Sequence, residues 1–189
     1  MQNPGRPHWE AVKRVFRYLK GTKDVVLVIG GSRKGLEAFS DVDWASKEHQ
    51  HSISGYVFTI DGGTVSWSSK KQPIIVLSTT EAEYIAATHA AKEALWIRTF
   101  IAEIARPLRK PVTIHLDNIS TISVTKNDEY HPRTKHIDIC YHFIRHAVQR
   151  KLLHVDYLPM DDMAADIFTK ALPRHKVLHL NALLGLHSA

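Results

Sequence analysis

A single cysteine, Cys140, stands in the 189 residues, which rules out an intrachain disulfide and any zinc site built on several thiolates and suits a reducing compartment. No apolar run approaches the roughly 18 to 20 residues that span a bilayer, and the amino terminus carries no signal-peptide pattern. An intracellular chain with no membrane partner is therefore expected. There is no internal repeat and no low-complexity stretch, so a repeat architecture is excluded. Acidic residues are in deficit: 19 Asp and Glu face 25 Lys and Arg, a formal charge of +6 with a pI near 9.4. That balance favours polyanionic partners such as nucleic acid.

What is present suffices for a folded domain. With 44% hydrophobic residues, a chain of this length buries a sizeable core and holds one domain with room for an appendage. Residues 8 to 20 place Val12, Val15, Phe16 and Leu19 at helical spacing and end at Gly21, a basic amphipathic helix. Strand material follows at 25–31, 36–44, 55–60 and 64–69, with a hinge-like Gly/Ser/Arg segment at 30–35. Asp61-Gly62-Gly63 joins the last two strands as a hairpin, because Asp and Gly tolerate the positive φ angles of a tight turn. From Ser78 the apolar period changes to about 3.6 residues, and the run to residue 104 is alanine-rich and free of Gly and Pro. This is the longest predicted helix. Beyond it the pattern predicts a strand at 112–116, helices near 118–126 and 137–150, a strand at 152–158 and an acidic helix from Asp161 or Asp162. Strands first and helix-strand alternation afterwards give an α/β domain with a mixed sheet, an antiparallel meander extended by strands reached through helical crossovers.

Four acids in separate contexts suggest one divalent-metal site gathered from distant segments: Asp41 in FSDVDWA, Glu83 in STTEAEYIAA, Asp117 in TIHLDN and Asp166 in DDMAADIFTK. Hard cations such as Mg²⁺ take oxygen ligands, and acids at strand ends and helix starts can supply them from noncontiguous segments. Each acid also has a simpler reading. Asp41 shares its strand face with Asp43, and either one is solvated if it lies at the strand end. Ser78 with Glu81 and Thr80 with Glu83 both fit a capping box, of which only one frame can hold. Asp117, just before a predicted helix, is also in the ordinary place for an N-cap. Asp166 precedes Ile167 and Phe168 inside a predicted helix, where its poor propensity is excused only by exposure or use.

The strings RYLKGTKD, FSDVDWA, SISGYVFTIDGGTVSWSSKKQPIIVLSTTEAEYIAA, IHLDNISTISVTKN, HPRTKHIDICYHFIRHAV and DMAADIFTKALP resemble the carboxy-terminal ribonuclease H region of copia-type LTR retrotransposon Pol polyproteins. The match runs from residue 3 to about residue 187. It implies a ribonuclease H-like fold, with a mixed five-stranded sheet flanked by helices. It also implies a metal-dependent endonuclease that hydrolyses the RNA strand of RNA/DNA hybrids. Carried over residue by residue, the family's four acids fall on Asp41, Glu83 rather than Glu81, Asp117 and Asp166, which the resemblance makes both the catalytic set and the ligands of two Mg²⁺ or Mn²⁺ ions. Residues 1–24 resemble the end of the reverse transcriptase connection helix, leaving 25–189 as the ribonuclease H domain. The implied partners are an RNA/DNA hybrid and the reverse transcriptase domain of the same polyprotein, and the implied setting is cytoplasmic, within virus-like particles. A hybrid-binding module with weak or lost catalysis in isolation is the alternative.

For nucleic-acid contacts the best basic patches are Lys70 and Lys71, beside Trp67, and the segment Arg133, Thr134, Lys135, His136. Both suit phosphates, and both also read as solvated charged faces. Asn118, next to Asp117, is a further candidate donor to the nucleic acid or a helix cap. His142 and His146 have the i,i+4 spacing of some zinc sites, but with no third ligand they read as packing or surface residues. The passage from Leu158 to Asp166 holds no histidine, so the mobile histidine of many cellular ribonucleases H has no counterpart there. KEHQHSISG also departs from the family's usual pattern, with Gln50 and His51 replacing a basic pair.

Overall fold

The computed structural model describes residues 3–30, 34–44, 51–119, 122 and 135–188, with side chains from residue 139 onward in the last segment. Its centre is a five-stranded sheet of order β4-β3-β2-β5-β6: β2 (Leu36–Asp43), β3 (Ile53–Ile60), β4 (Gly63–Lys71), β5 (Val112–Leu116) and β6 (Leu153–Tyr157). β2 pairs antiparallel with β3, β3 antiparallel with β4, while β5 runs parallel to β2 and β6 parallel to β5. This is the expected mixed sheet. The expected hairpin is also present: Asp61 and Gly62 adopt φ of 48° and 89°, the pair of positive angles whose twist matches flanking strands.

α2 (Thr79–Ile104) crosses one face of the sheet. Ser78 caps it, accepting from the Glu81 backbone N–H at 3.2 Å, so the Ser78 frame of the two possible capping boxes holds and Glu83 is left free of capping. Small residues Ala82, Ala86, Ala87, Ala90, Ala91 and Ala94 are buried along the helix, which lets its backbone approach the strands closely. α3 (Lys135–Gln149) packs beside it. Together they cover the main core, formed by Ala38, Phe58, Ile114, Leu116, Ile144 and Leu153 among others. The helix expected near 118–126 falls largely outside the described residues.

Register sorts the strands into two faces. Ala38 pairs with Phe58 and faces the helices, whereas Phe39 pairs with Val57 and faces the other way. On that second face a smaller cluster gathers Val57, Met163, Ala164, Ala165 and Leu184. The acidic helix expected here does not form as such. The chain makes two 3₁₀ turns, Met160–Asp162 and Ala164–Phe168, and α4 (Arg174–Leu183) starts only after Pro173. Met163 separates the turns in an extended conformation, φ −70° and ψ 92°. Its fully buried side chain anchors the second cluster, so packing against the sheet wins over continuous helix.

Two further elements frame the domain. The strand expected at 25–31 is confined to β1 (Val25–Leu27), which pairs with β7 (Leu186–Ser188) in a separate two-stranded sheet. β7 has no signature in the sequence, being three residues long with its partner at the other end of the chain. α1 (Arg6–Gly21) is helical as expected but buries none of its residues. Trp9, Val15, Phe16, Tyr18 and Leu19 are all exposed.

Candidate metal centre

The site grows from where the parallel strands stop. Asp41 lies near the end of β2, the central strand, and is completely buried. That excludes the solvated strand-end reading, while Asp43 remains partly exposed. Asp117 follows the last residue of β5, the parallel neighbour of β2. Glu83 enters from the first turns of α2 and is 8% exposed. Each of these three offers a carboxylate oxygen within 4.8 Å of the others. Gln72, itself buried, fixes this approach: its amide donates to Ser54 Oγ at 2.8 Å and to the Ala82 carbonyl at 2.9 Å, tying the start of α2 to β3.

Asp166 is brought to the centre differently. It sits 1% exposed in the second 3₁₀ turn, which lies directly on β3 because Gly55, opposite Asp41 in the register, has no side chain. A Cβ there would meet Thr169 Cγ2 at 2.6 Å and Phe168 Cβ at 3.0 Å. With that gap filled by the turn, Thr169 Oγ1 donates to Asp41 Oδ2. Lys170 Nζ stands 3.0 Å from Asp41 Oδ1 and 3.0 Å from Asp166 Oδ1, and Lys176 Nζ stands 2.9 Å from Asp166 Oδ2. Thus a lysine ammonium joins Asp166 to Asp41.

The electrostatics follow from burial. Glu83 is pushed up to about 9, first by burial and then by the charges of Asp117 and Asp41. Burial also raises Asp117, with Asp41 adding to it, and raises Asp41 despite the Thr169 hydrogen bond and the Lys170 charge. Burial alone would lower the Lys170 ammonium, but Asp41 and Asp166 outweigh it and hold it above its usual value. Converging carboxylates that resist ionisation are the state a hard cation relieves. Glu83 Oε2, buried and without a hydrogen-bond partner, is the orphaned acceptor that such a cation would satisfy. The donor set fits a divalent metal.

The nucleic-acid candidates are scattered by comparison. Lys70 and Lys71 are exposed at the end of the edge strand β4, near the exposed Trp67. Asn118 is partly buried beside Asp117. Arg133, Thr134 and Gln50 lie outside the described residues, and of Lys135 only the backbone, opening α3, is described. His142 and His146 line a shallow groove on α3 with Ile139 and Phe143 and belong to no acid or histidine cluster among the described residues. The sequence reading overlooked Thr169, Lys170, Lys176, Gln72 and Gly55. Lys170 alone carried a local signal, four residues after Asp166, where the two face each other on a helical turn.

This architecture defines the ribonuclease H fold. It is similar to LC11 ribonuclease H1, solved in complex with an RNA/DNA hybrid, with a TM-score of 0.54 and 18% identity over 71% of this chain and 93% of that one. Ribonuclease H1 from Halobacterium salinarum gives a TM-score of 0.51 and 14% identity over 71% and 93% of the two chains. No family model matches the chain. Over its whole length the chain is homologous to retrovirus-related Pol polyproteins of copia-type transposons. It is 44% identical over 189 residues to the retrovirus-related Pol polyprotein from transposon TNT 1-94 of Nicotiana tabacum, all of this chain and 14% of that one. It is 38% identical over 188 residues to that from transposon RE2 of Arabidopsis thaliana, 98% of this chain and 13% of that one. The chain therefore spans about one seventh of the length of these relatives. No helix among the described residues is long and apolar enough to cross a membrane.

Proposed function

We propose that this chain is a metal-dependent endonuclease that hydrolyses the RNA strand of RNA/DNA hybrids during reverse transcription of a retrotransposon. Asp41, Glu83, Asp117 and Asp166 are proposed as both its catalytic set and its Mg²⁺ or Mn²⁺ ligands. The observation that carries the reading is the convergence of buried Asp41 and Glu83 with partly buried Asp117, together with the unpartnered Glu83 Oε2. These oxygens would hold a divalent ion, whose chemistry there would be Lewis-acid polarisation of a phosphate and activation of water. The chain's own residues do the rest. Asp41 and Asp117, at the ends of adjacent parallel strands, hold their oxygens on a rigid frame, and Gln72 and Ser54 keep the start of α2, and with it Glu83, at a fixed approach. The buried surroundings strengthen every charge interaction in the site.

Lys70 and Lys71 are proposed to meet phosphates of the hybrid, with Asn118, Arg133 and Lys135 as further contacts, in keeping with the positive charge of the chain. Residues 1–24 are proposed as the end of a reverse transcriptase connection followed by the nuclease domain. The exposed apolar side chains of α1 support a covering partner, for which the polymerase part of the same polyprotein is the proposed candidate. The proposed setting is cytoplasmic, within virus-like particles.

The test is cleavage of an end-labelled RNA/DNA hybrid with and without Mg²⁺, with single-stranded RNA and RNA/RNA as controls. Mg²⁺-dependent cutting of the hybrid alone is expected, and its loss in Asp41→Asn and Asp117→Asn. Unchanged cutting by both variants would overturn the assignment. The reading as a hybrid-binding module with weak catalysis in isolation has one observation in its favour: Asp41 and Asp166 are already paired with lysines. Retarded but uncut hybrid selects it.

A further inference from the structure

We propose that Lys170 is the resident cation of the Asp41–Asp166 half of the centre, so that divalent ions load in order: one freely, and a second only by displacing the Lys170 ammonium. This deepens the reading of the four acids as a metal-binding set and rests on it.

The two halves of the centre differ in how their oxygens are satisfied. Both oxygens of Asp41 have donors, Lys170 on Oδ1 and Thr169 on Oδ2, and both oxygens of Asp166 have ammonium donors, Lys170 and Lys176. On the other side, Glu83 Oε2 has no partner. An ion arriving among Asp41, Glu83 and Asp117 feels the Lys170 charge but finds in Glu83 Oε2 an acceptor that no donor occupies. An ion arriving between Asp41 and Asp166 meets an ammonium 3.0 Å from an oxygen of each.

Charge leads to the same order. The four acids when ionised carry four negative charges, of which Lys170 and Lys176 cancel two, and one divalent ion cancels the remainder. A second ion brings the centre to two positive charges, an excess that departure of the Lys170 ammonium halves. Lys170 is built to leave. Its side chain is 29% exposed while those of Asp41 and Asp166 are 1% exposed, so it has a path to water, and its flexible stem carries a compact, readily hydrated charge. Lys176 is held further by the Met160 carbonyl at 3.2 Å and stays with Asp166. Backbone bonds from Thr169 and Lys170 to the Asp166 carbonyl, at 3.2 and 2.9 Å, keep the turn in place when the Lys170 side chain moves.

The experiment is Mn²⁺ binding to the whole 189-residue chain, read from the electron-spin-resonance signal of free Mn²⁺, so that no activity enters the measurement. The wild type is expected to show two classes of site, the second weaker by about 10- to 100-fold, the range that losing a charge-assisted hydrogen bond spans. In Lys170→Gln the two classes should merge to within about threefold, and Lys170→Arg should restore the gap by restoring the charge. A wild type that takes one ion where Lys170→Gln takes two supports the same order. If Lys170→Gln does not fold, the ¹⁵N resonance of the Lys170 ammonium in the wild type decides. It should persist through the first equivalent of Mg²⁺ and be lost with the second, and its loss at the first equivalent would overturn the proposal. Metal binding with equal classes in the wild type, or with a gap unmoved in Lys170→Gln, also overturns it while leaving the metal centre standing. No binding by any variant sinks the metal centre itself.

Discussion

The two faces of the central sheet are built on different principles. Among the described residues, the face toward α2 and α3 carries seventeen buried residues in one apolar cluster, whereas the opposite face carries five, gathered about two short 3₁₀ turns. Buried apolar area supplies most of the stability of a domain, so the helical face bears the load of folding. The thin face instead holds Asp41, Asp166, Thr169 and Lys170, groups that are costly to bury and cohere by charge and hydrogen bonding. Short turns suit this second task, because they deliver single side chains at close range without needing a wide apolar stripe.

Each face should fail in its own way. The largest effect is expected from Asp41→Asn on the thin face. Loss of one metal-facing charge should reduce hybrid cleavage by about 10³-fold or more, several kcal/mol, while circular-dichroism melts move little. A collapse of the fold in this variant would break the comparison. On the helical face, Ile144→Ala empties a position that is 1% exposed and should destabilise by about 2–5 kcal/mol in urea melts, with Mn²⁺ stoichiometry unchanged. Gly55→Ala tests the seam between the turn and the sheet. The added methyl meets Thr169 and Phe168, so a loss of about 1–3 kcal/mol should come with weakened metal binding, which calorimetric titration measures.

A pH profile sharpens the comparison further. Glu83 has a folded-state pKa raised to about 9 from 4.5, so between those values the folded chain keeps a proton that the unfolded chain releases. The Glu83 contribution to stability in EDTA is therefore fully present at low pH and is lost as pH rises through this window, at up to about 1.4 kcal/mol per pH unit. Denaturant melts of wild type and Glu83→Gln at pH 5.5 and 8 should differ by that dependence, which saturating Mg²⁺ should also remove. The smallest effect is expected away from both faces: Phe16→Ser in α1, whose side chain is 64% exposed, should change stability by less than about 0.5 kcal/mol.

Much of the helical face was legible in the chain, since its rules are local. The 3.6-residue period after Ser78 and the Asp61-Gly62 turn each announce their element within a few residues. The thin face was less legible, because its elements are fixed by distant contacts. Nothing near Met163 says that its side chain will be pinned under β3 and cut the expected helix into 3₁₀ turns. The choice of Glu83 over Glu81 shows the same boundary. Capping spacing allowed both, the family resemblance chose one, and the observed cap on Ser78 accounts for the other. Asp41 and Asp43 could not be separated by period alone, since both point to one side of β2, and only burial distinguishes them. Lys170 went unread because a lysine four residues from an acid is usually a surface pair, and its burial depends on Gly55 more than a hundred positions earlier.

The β1–β7 pairing carries a consequence for synthesis. Val25 pairs with Ser188, so on the ribosome β1 waits through most of the domain for its partner. An unpaired strand edge is an invitation to neighbouring nascent chains. Three residues of strand give such a neighbour little to hold. The brevity that hid this small sheet from the sequence also guards the chain during its longest exposure, on a polysome crowded with copies of itself.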